Sequence, residues 1–185
     1  PKPHPGVTVG KWEEKAGMTV DVNGDTYFDD ARVPLGYRAA GPGKDADIFE
    51  SCLMLGRLFN PPMAVGQAQA MFEIVMDFTK DRMASGKPIC QHSVCSNMLA
   101  DIVTGIEIAR TYYLFVGHMI DHPEIYPKAS SLNSRFLESR AAMAKTYACD
   151  MVVEVANKAM QMMGSYGYSK EYLLEKYWRD SKINQ

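Results

Sequence analysis

The sequence predicts a mainly α fold, an antiparallel four-helix bundle preceded by a short β-hairpin segment left from a β-domain. Two patterns carry this reading. Beyond residue 45, apolar side chains recur at steps of three or four, the period of a helix face. Before it, Pro, Gly, Thr and Val are frequent and apolar residues alternate with polar ones, the period of a strand. The boundary is expected at the linker Gly41-Pro42-Gly43-Lys44. Residues 1–44 are then the C-terminal part of a β-domain, and 45–185 a C-terminal four-helix-bundle domain.

In the first part, Met18 to Val22 alternates, Asn23-Gly24-Asp25 is a strong turn signal, and Thr26-Tyr27-Phe28 resumes the extended pattern. A hairpin around that turn is expected. A lone hairpin is marginal in water, so it requires more sheet or a helical face to lie against.

The first helix is expected from Asp47, which has the character of a cap with Glu50 three residues on. Leu53, Leu55 and Phe59 continue it. Asn60-Pro61-Pro62 predicts a kink or break, because proline removes a donor and clashes with the preceding turn. The pattern resumes through Val65, Met71, Ile74, Val75 and Phe78, and ends near Ser85-Gly86-Lys87-Pro88. A second helix, from about His92 to His118, carries the stripe Val94, Met98, Ile102, Ile106, Ala109, Tyr113, Val116, Ile120. In the third, the stripe is Phe136, Met143, Tyr147, Met151, Val155, Ala159 and Met162. Gly164 and Gly167 stop it. A short amphipathic fourth helix follows, with Tyr172, Leu173, Lys176 and Tyr177 at helical spacing before Arg179-Asp180.

Composition excludes several classes. At 185 residues the chain is long enough to bury about two-thirds of its unfolded surface. A net charge of -2 argues against a general nucleic-acid binder. No apolar run reaches membrane-spanning length, and the opening residues lack a signal peptide's apolar core. The four cysteines, without CxxC pairing, read as buried free thiols in a reducing compartment: the cytoplasm or, in a eukaryote, the mitochondrial matrix. Cys90, His92 and Cys95 lack a fourth ligand nearby, so no metal is expected. No Glu-x-x-His pair is present for a di-iron bundle. His118, Asp121 and His122 read as a solvated helix terminus complementing the helix dipole.

Three features suggest chemistry. Arg57 lies mid-helix among apolar neighbours, either snorkelling or paired with an anion. Arg82 lies at a helix end before a Gly-Lys-Pro turn, where donors can converge on phosphate oxygens. Gln161 lies one turn before the Gly164 break, so its amide and freed backbone groups face the same space.

The sequence resembles the acyl-CoA dehydrogenase family over essentially its whole length. The matching pieces are Phe28 to Pro34, Gly56-Arg57, Asp81-Arg82 with Gly86-Lys87-Pro88-Ile89, Leu99-Ala100-Asp101-Ile102, Ala142-Met143-Ala144-Lys145, Gln161 to Tyr168, and Arg179 to Ile183. The resemblance implies a FAD-dependent enzyme that oxidises an acyl-CoA thioester to the trans-2-enoyl-CoA, with electron-transfer flavoprotein as acceptor. It also implies a homo-oligomer, dimer or tetramer, whose FAD site is shared between two subunits. By position, Arg82 meets the FAD pyrophosphate of the neighbouring subunit and His92 and Ser93 contact other parts of the cofactor. Gln161, Met163, Gly164 and Ser165 hold the adenosine half, and Arg57 lies near the CoA portion of the substrate.

The chain departs from the family pattern at Ser85, Ser93 and Ser165, where an aromatic, a glutamine and a second glycine are usual. The family's catalytic glutamate is expected beyond Gln185. Some members carry it just before the arginine on the first bundle helix, which here is Gly56 and has no base to offer. Two alternatives follow: a non-catalytic bundle subunit that assembles with a flavin-bearing partner, or a related acyl-CoA flavoprotein with different chemistry.

Overall fold

The computed structural model describes residues 4–185; the sequence reading of the first three residues lies outside them. Three long helices dominate: α1 (Asp45–Asp81), α2 (Ser93–Asp121) and α3 (Arg135–Met163). Two short ones follow, α4 (Ser165–Tyr168) and α5 (Leu174–Ser181). A two-stranded antiparallel sheet, β1 (Val7–Trp12) with β2 (Gly24–Phe28), precedes them. A second, minimal pair, β3 (Met83–Ala84) with β4 (Lys87–Pro88), joins α1 to α2.

Side-chain pairings fix the helix directions. Ser51 meets Asn133 and Arg57 meets Glu138 near the start of α1 and α3, while Arg82 meets Tyr166 just past their far ends. The two therefore run parallel and form the central contact of the bundle. Lys158 bonds Asp101 and Tyr112 reaches Met143, so α2 runs antiparallel to α3. Trp178 bonds Asn157 and Gln185 bonds Asp150, so the α5 segment is antiparallel to α3 as well. This is the expected up-down arrangement, with the fourth position filled by a short helix.

The core divides in two along the long helices. One cluster joins Ala64, Val65, Ala68, Met71 and Val75 of α1 to Ile102 and Ile106 of α2, Val152, Val155 and Ala159 of α3, and Leu174. The other joins Met54, Val116, Met119, Leu137 and Ala141 near the opposite end.

Several expectations are corrected. The hairpin does not turn at Asn23-Gly24-Asp25: Gly24 opens β2, paired with Trp12, and Val7 pairs with Phe28. Met18 to Val22 is part of the long connection instead. Its alternation is overridden by tertiary contacts, since the Met18 amide donates to Asp180 Oδ1 at 2.6 Å and Arg179 donates to the Ala16 carbonyl at 2.7 Å. Nor do Pro61 and Pro62 break α1, which runs uninterrupted for 37 residues. Pro61 is fully buried, and continuous packing along α3 outweighs the hydrogen bonds that the two prolines forfeit. The helix starts at Asp45 after Lys44, not at an Asp47 cap; Asp45 and Asp47 lie in the first turn and complement the dipole. Leu53, Leu55 and Phe59 are exposed, as are Val94, Met143 and Tyr147, so the buried stripes are narrower than their apolar content suggests. Of the cysteines, Cys149 is buried but Cys52 is exposed; all four are free.

Candidate functional site

The parallel course of α1 and α3 brings their C-terminal ends to the same end of the bundle, together with the start of α2. There α1 stops at Arg82, whose amide donates to the Phe78 carbonyl at 2.9 Å while its own carbonyl accepts from Ile89 at 2.8 Å. Ser85 and Gly86, with φ of 49° and 81°, form the two-residue turn between β3 and β4. Two successive left-handed residues are what a type I′ hairpin turn requires. The turn folds the chain back so that the His92 ring, Nε2 at 3.0 Å from the Ala84 carbonyl, latches the hairpin to the first turn of α2. Ser93 opens that helix and is exposed.

On the α3 side, Gly164 takes φ 57° and ψ −131°, and a Cβ built there meets nothing within 4 Å. The chain turns sharply into α4, which lays Tyr166 across the end of α1. The Arg82 guanidinium carbon sits 5.6 Å from the Tyr166 ring centroid. Tyr166 contacts Phe78 at 5.7 Å and Tyr172 at 6.0 Å, and Phe78 and Tyr172 close the triangle at 6.4 Å. These residues, with Asp77 and Asp81, line a recess of about 460 Å³. Among the described residues, Arg82 has no carboxylate within ion-pair distance.

Gln161, Gly164 and Ser165 are exposed. Gln161 and Gly164 line a neighbouring recess of about 410 Å³ with Asn157, Met160, Tyr168 and Trp178, the indole of which donates to Asn157 Oδ1 at 2.8 Å. Met163 differs: the whole residue is 2% exposed and its side chain belongs to the core, so it is not presented to a ligand with its neighbours.

Arg57 lies at the other end of the bundle, roughly 37 Å of helix from Arg82. Its guanidinium donates to Glu138 Oε1 at 2.7 Å, so it is neither purely snorkelling nor free. A polar recess of about 440 Å³ surrounds this pair, lined also by Glu50, Asn133 and Arg135. The structure thus gathers Arg82, His92, Ser93, Gln161, Gly164 and Ser165 at one end and leaves Arg57 apart.

Sequence reasoning missed the aromatic side chains. Tyr166, Phe78 and Tyr172 surround Arg82, and Tyr168 and Trp178 flank Gln161. A signal was present: Tyr166, Tyr168, Tyr172, Tyr177 and Trp178 crowd into thirteen residues. It also missed the role of Arg179-Asp180. Arg179 is tied to Glu175 and Ala16, and buried Asp180 accepts from Met18 and Lys176, so the pair clasps residues 16–18 to the bundle. Burial pushes the Asp180 carboxyl up, but hydrogen bonds from Lys176 and the Met18 amide outweigh it and hold it below the usual carboxylate range.

Known proteins share this sequence pattern and this shape. Residues 46–185 match the family model described as acyl-CoA dehydrogenase, C-terminal domain. An acyl-CoA dehydrogenase of Bacillus subtilis is 36% identical over 183 residues, covering 98% of this chain and 45% of that protein. Cyclohex-1-ene-1-carbonyl-CoA dehydrogenase of Syntrophus aciditrophicus is 33% identical over 181 residues, 98% of this chain and 41% of its own length. The solved structure of butyryl-CoA dehydrogenase from Megasphaera elsdenii superposes with a TM-score of 0.87 at 32% identity, covering all of this chain and 45% of that one. The chain spans less than half the length of these relatives. On the match of its bundle to the family's C-terminal domain, the chain belongs to the acyl-CoA dehydrogenase family.

Proposed function

We propose that this chain is part of a FAD-dependent acyl-CoA dehydrogenase that oxidises an acyl-CoA thioester to the trans-2-enoyl-CoA. One observation supports it above others. Arg82, without a carboxylate partner among the described residues, and the Gln161–Gly164 bend are both open to solvent at one end of the bundle. A second subunit can reach that surface. The donor set suits a dinucleotide: a guanidinium for phosphate oxygens, a side-chain amide, and backbone free of a Cβ at Gly164.

When bound, FAD accepts the hydride from the β-carbon of the substrate. This chain's own part is to bind and orient. In this reading Arg82 grips the pyrophosphate of the neighbouring subunit's FAD, and His92 and Ser93 contact other parts of the cofactor. Gln161, Gly164 and Ser165 hold the adenosine half. Arg57 serves the CoA portion, where an incoming phosphate competes with Glu138. The base that takes the α-proton is a carboxylate that none of these residues supplies.

The partners follow from the same reading: an acyl-CoA substrate, electron-transfer flavoprotein as acceptor, and further copies of the chain in a dimer or tetramer. A groove of about 830 Å³ between α2 and α3, lined by Ile102, Gly105, Met143, Tyr147, Met151 and Val155, supports assembly. Residues 1–44 belong to a β-domain; Val9, Trp12, Tyr27 and Phe28 expose apolar surface for more sheet to cover. No described helix is long and apolar enough to cross a membrane. Free thiols suit a reducing compartment, the cytoplasm or a mitochondrial matrix.

The test is spectroscopic. The product of the complete gene is expected to purify with bound flavin, and an acyl-CoA added without oxygen to bleach the flavin band. A flavin-free, unresponsive product refutes the reading.

A further inference from the structure

We propose that Tyr166 is a positioning residue for Arg82, a role that rests on the reading of Arg82 as a phosphate ligand. A lone arginine on an exposed helix end samples many rotamers, and ordering it costs free energy whenever it binds. Proteins commonly order such a side chain with a carboxylate. At a phosphate site that solution is counterproductive, because the carboxylate neutralises the charge and occupies the N–H fork that the anion needs. An aromatic face holds the cation by its quadrupole and leaves the in-plane N–H donors unused.

The structure has this second arrangement. Arg82 shares its recess with Asp77 and Asp81 yet pairs with neither, and its guanidinium carbon lies 5.6 Å from the Tyr166 centroid. Tyr166 is 42% exposed but has aromatic neighbours on two sides. It stands edge-on to Tyr172 at 88° and tilted against Phe78 at 51°, so its ring is braced from two sides. The next residue, Gly167, is buried with a would-be Cβ 3.0 Å from Met163 Cβ and 3.2 Å from Leu174 Cδ2, which pins the backbone of α4. The Gly164 bend delivers the ring to this place. The bend, the buried glycine and the aromatic triangle together place the half-exposed Tyr166 ring beside the Arg82 guanidinium.

The experiment is a double-mutant cycle in the full-length protein, stripped of flavin and titrated with FAD. R82A is expected to weaken FAD about 10- to 100-fold, the loss of charge-assisted hydrogen bonds. Tyr166→Leu is expected to weaken it about 2- to 10-fold, and Tyr166→Phe to leave it near the parent value, since the phenyl face retains the quadrupole. The double variant R82A with Tyr166→Leu should bind no worse than R82A alone. If Tyr166→Leu does not fold, a trifluorinated phenylalanine introduced at position 166 keeps the ring's shape while weakening its negative face. It should then lower FAD affinity relative to Tyr166→Phe. Unchanged affinity on loss of the ring face, or additive losses in the cycle, overturns the role of Tyr166 while leaving Arg82 as a ligand. Unchanged affinity in R82A overturns the reading beneath it.

Discussion

Replacing Asp180 by alanine should release residues 15–21 from the bundle while the helices stay folded. Asp180 is 5% exposed, and its Oδ1 accepts the Met18 amide at 2.6 Å. A hydrogen bond from a backbone amide to a buried carboxylate contributes about 1.5–3 kcal/mol. The Lys176 pair lies within α5, four residues away, and persists when residues 15–21 open, so it adds nothing to that equilibrium. The Met18 bond alone is therefore equivalent to about 10- to 100-fold in an opening equilibrium. Amide exchange of residues 15–21, read by mass spectrometry, is therefore expected to accelerate about 10- to 100-fold in Asp180→Ala at neutral pH. Exchange in the middle of α3 should be unchanged. The sign with pH follows from the same contacts. The folded carboxyl sits below its unfolded value of about 3.9, so the stabilisation is present above about pH 4 and is lost as pH falls through the folded value. Unchanged protection at residues 15–21 would refute the clasp.

Gly17→Ala should mimic that release by another route, because its Cβ would lie 2.5 Å from the Arg179 carbonyl oxygen; the same exchange experiment reports it. Burial pushes the Cys149 thiol up, so alkylation at neutral pH should label exposed Cys52 well before Cys149, as peptide mapping would show. Glu138→Ala should change stability by no more than about 1 kcal/mol in urea titration, since both partners of the Arg57 pair are substantially exposed. If Arg57 serves the CoA portion, the same variant should bind CoA more tightly than the parent, as calorimetry would detect.

The helical pattern was legible because three long helices bury stripes that recur at the helical period, and Ile102, Ile106, Met151 and Val155 sit where periodicity places them. What was not legible depends on partners distant in sequence. Pro61 stays in a helix because its ring is buried, and the Met18–Val22 alternation yields to Asp180, 162 residues from Met18. Local pattern contains neither fact. The same holds at the candidate site. Arg82, Gln161 and Gly164 stood out by residue type at helix ends, but the seat under Arg82 is made by α4 crossing α1. Only the Gly164 bend and the parallel course of α1 and α3 bring that about. Met163 shares its neighbours' place in the sequence but not their exposure, because the helix rotates its side chain inward.

Arg82 as a ligand to a dinucleotide's phosphates from across a subunit boundary is open to direct structural test. The measurement is a crystal structure of the full-length protein with FAD. The Arg82 guanidinium is expected within hydrogen-bond distance of pyrophosphate oxygens, with the isoalloxazine seated in a different subunit. A flavin held wholly within one subunit, or an Arg82 remote from every phosphate, would contradict it.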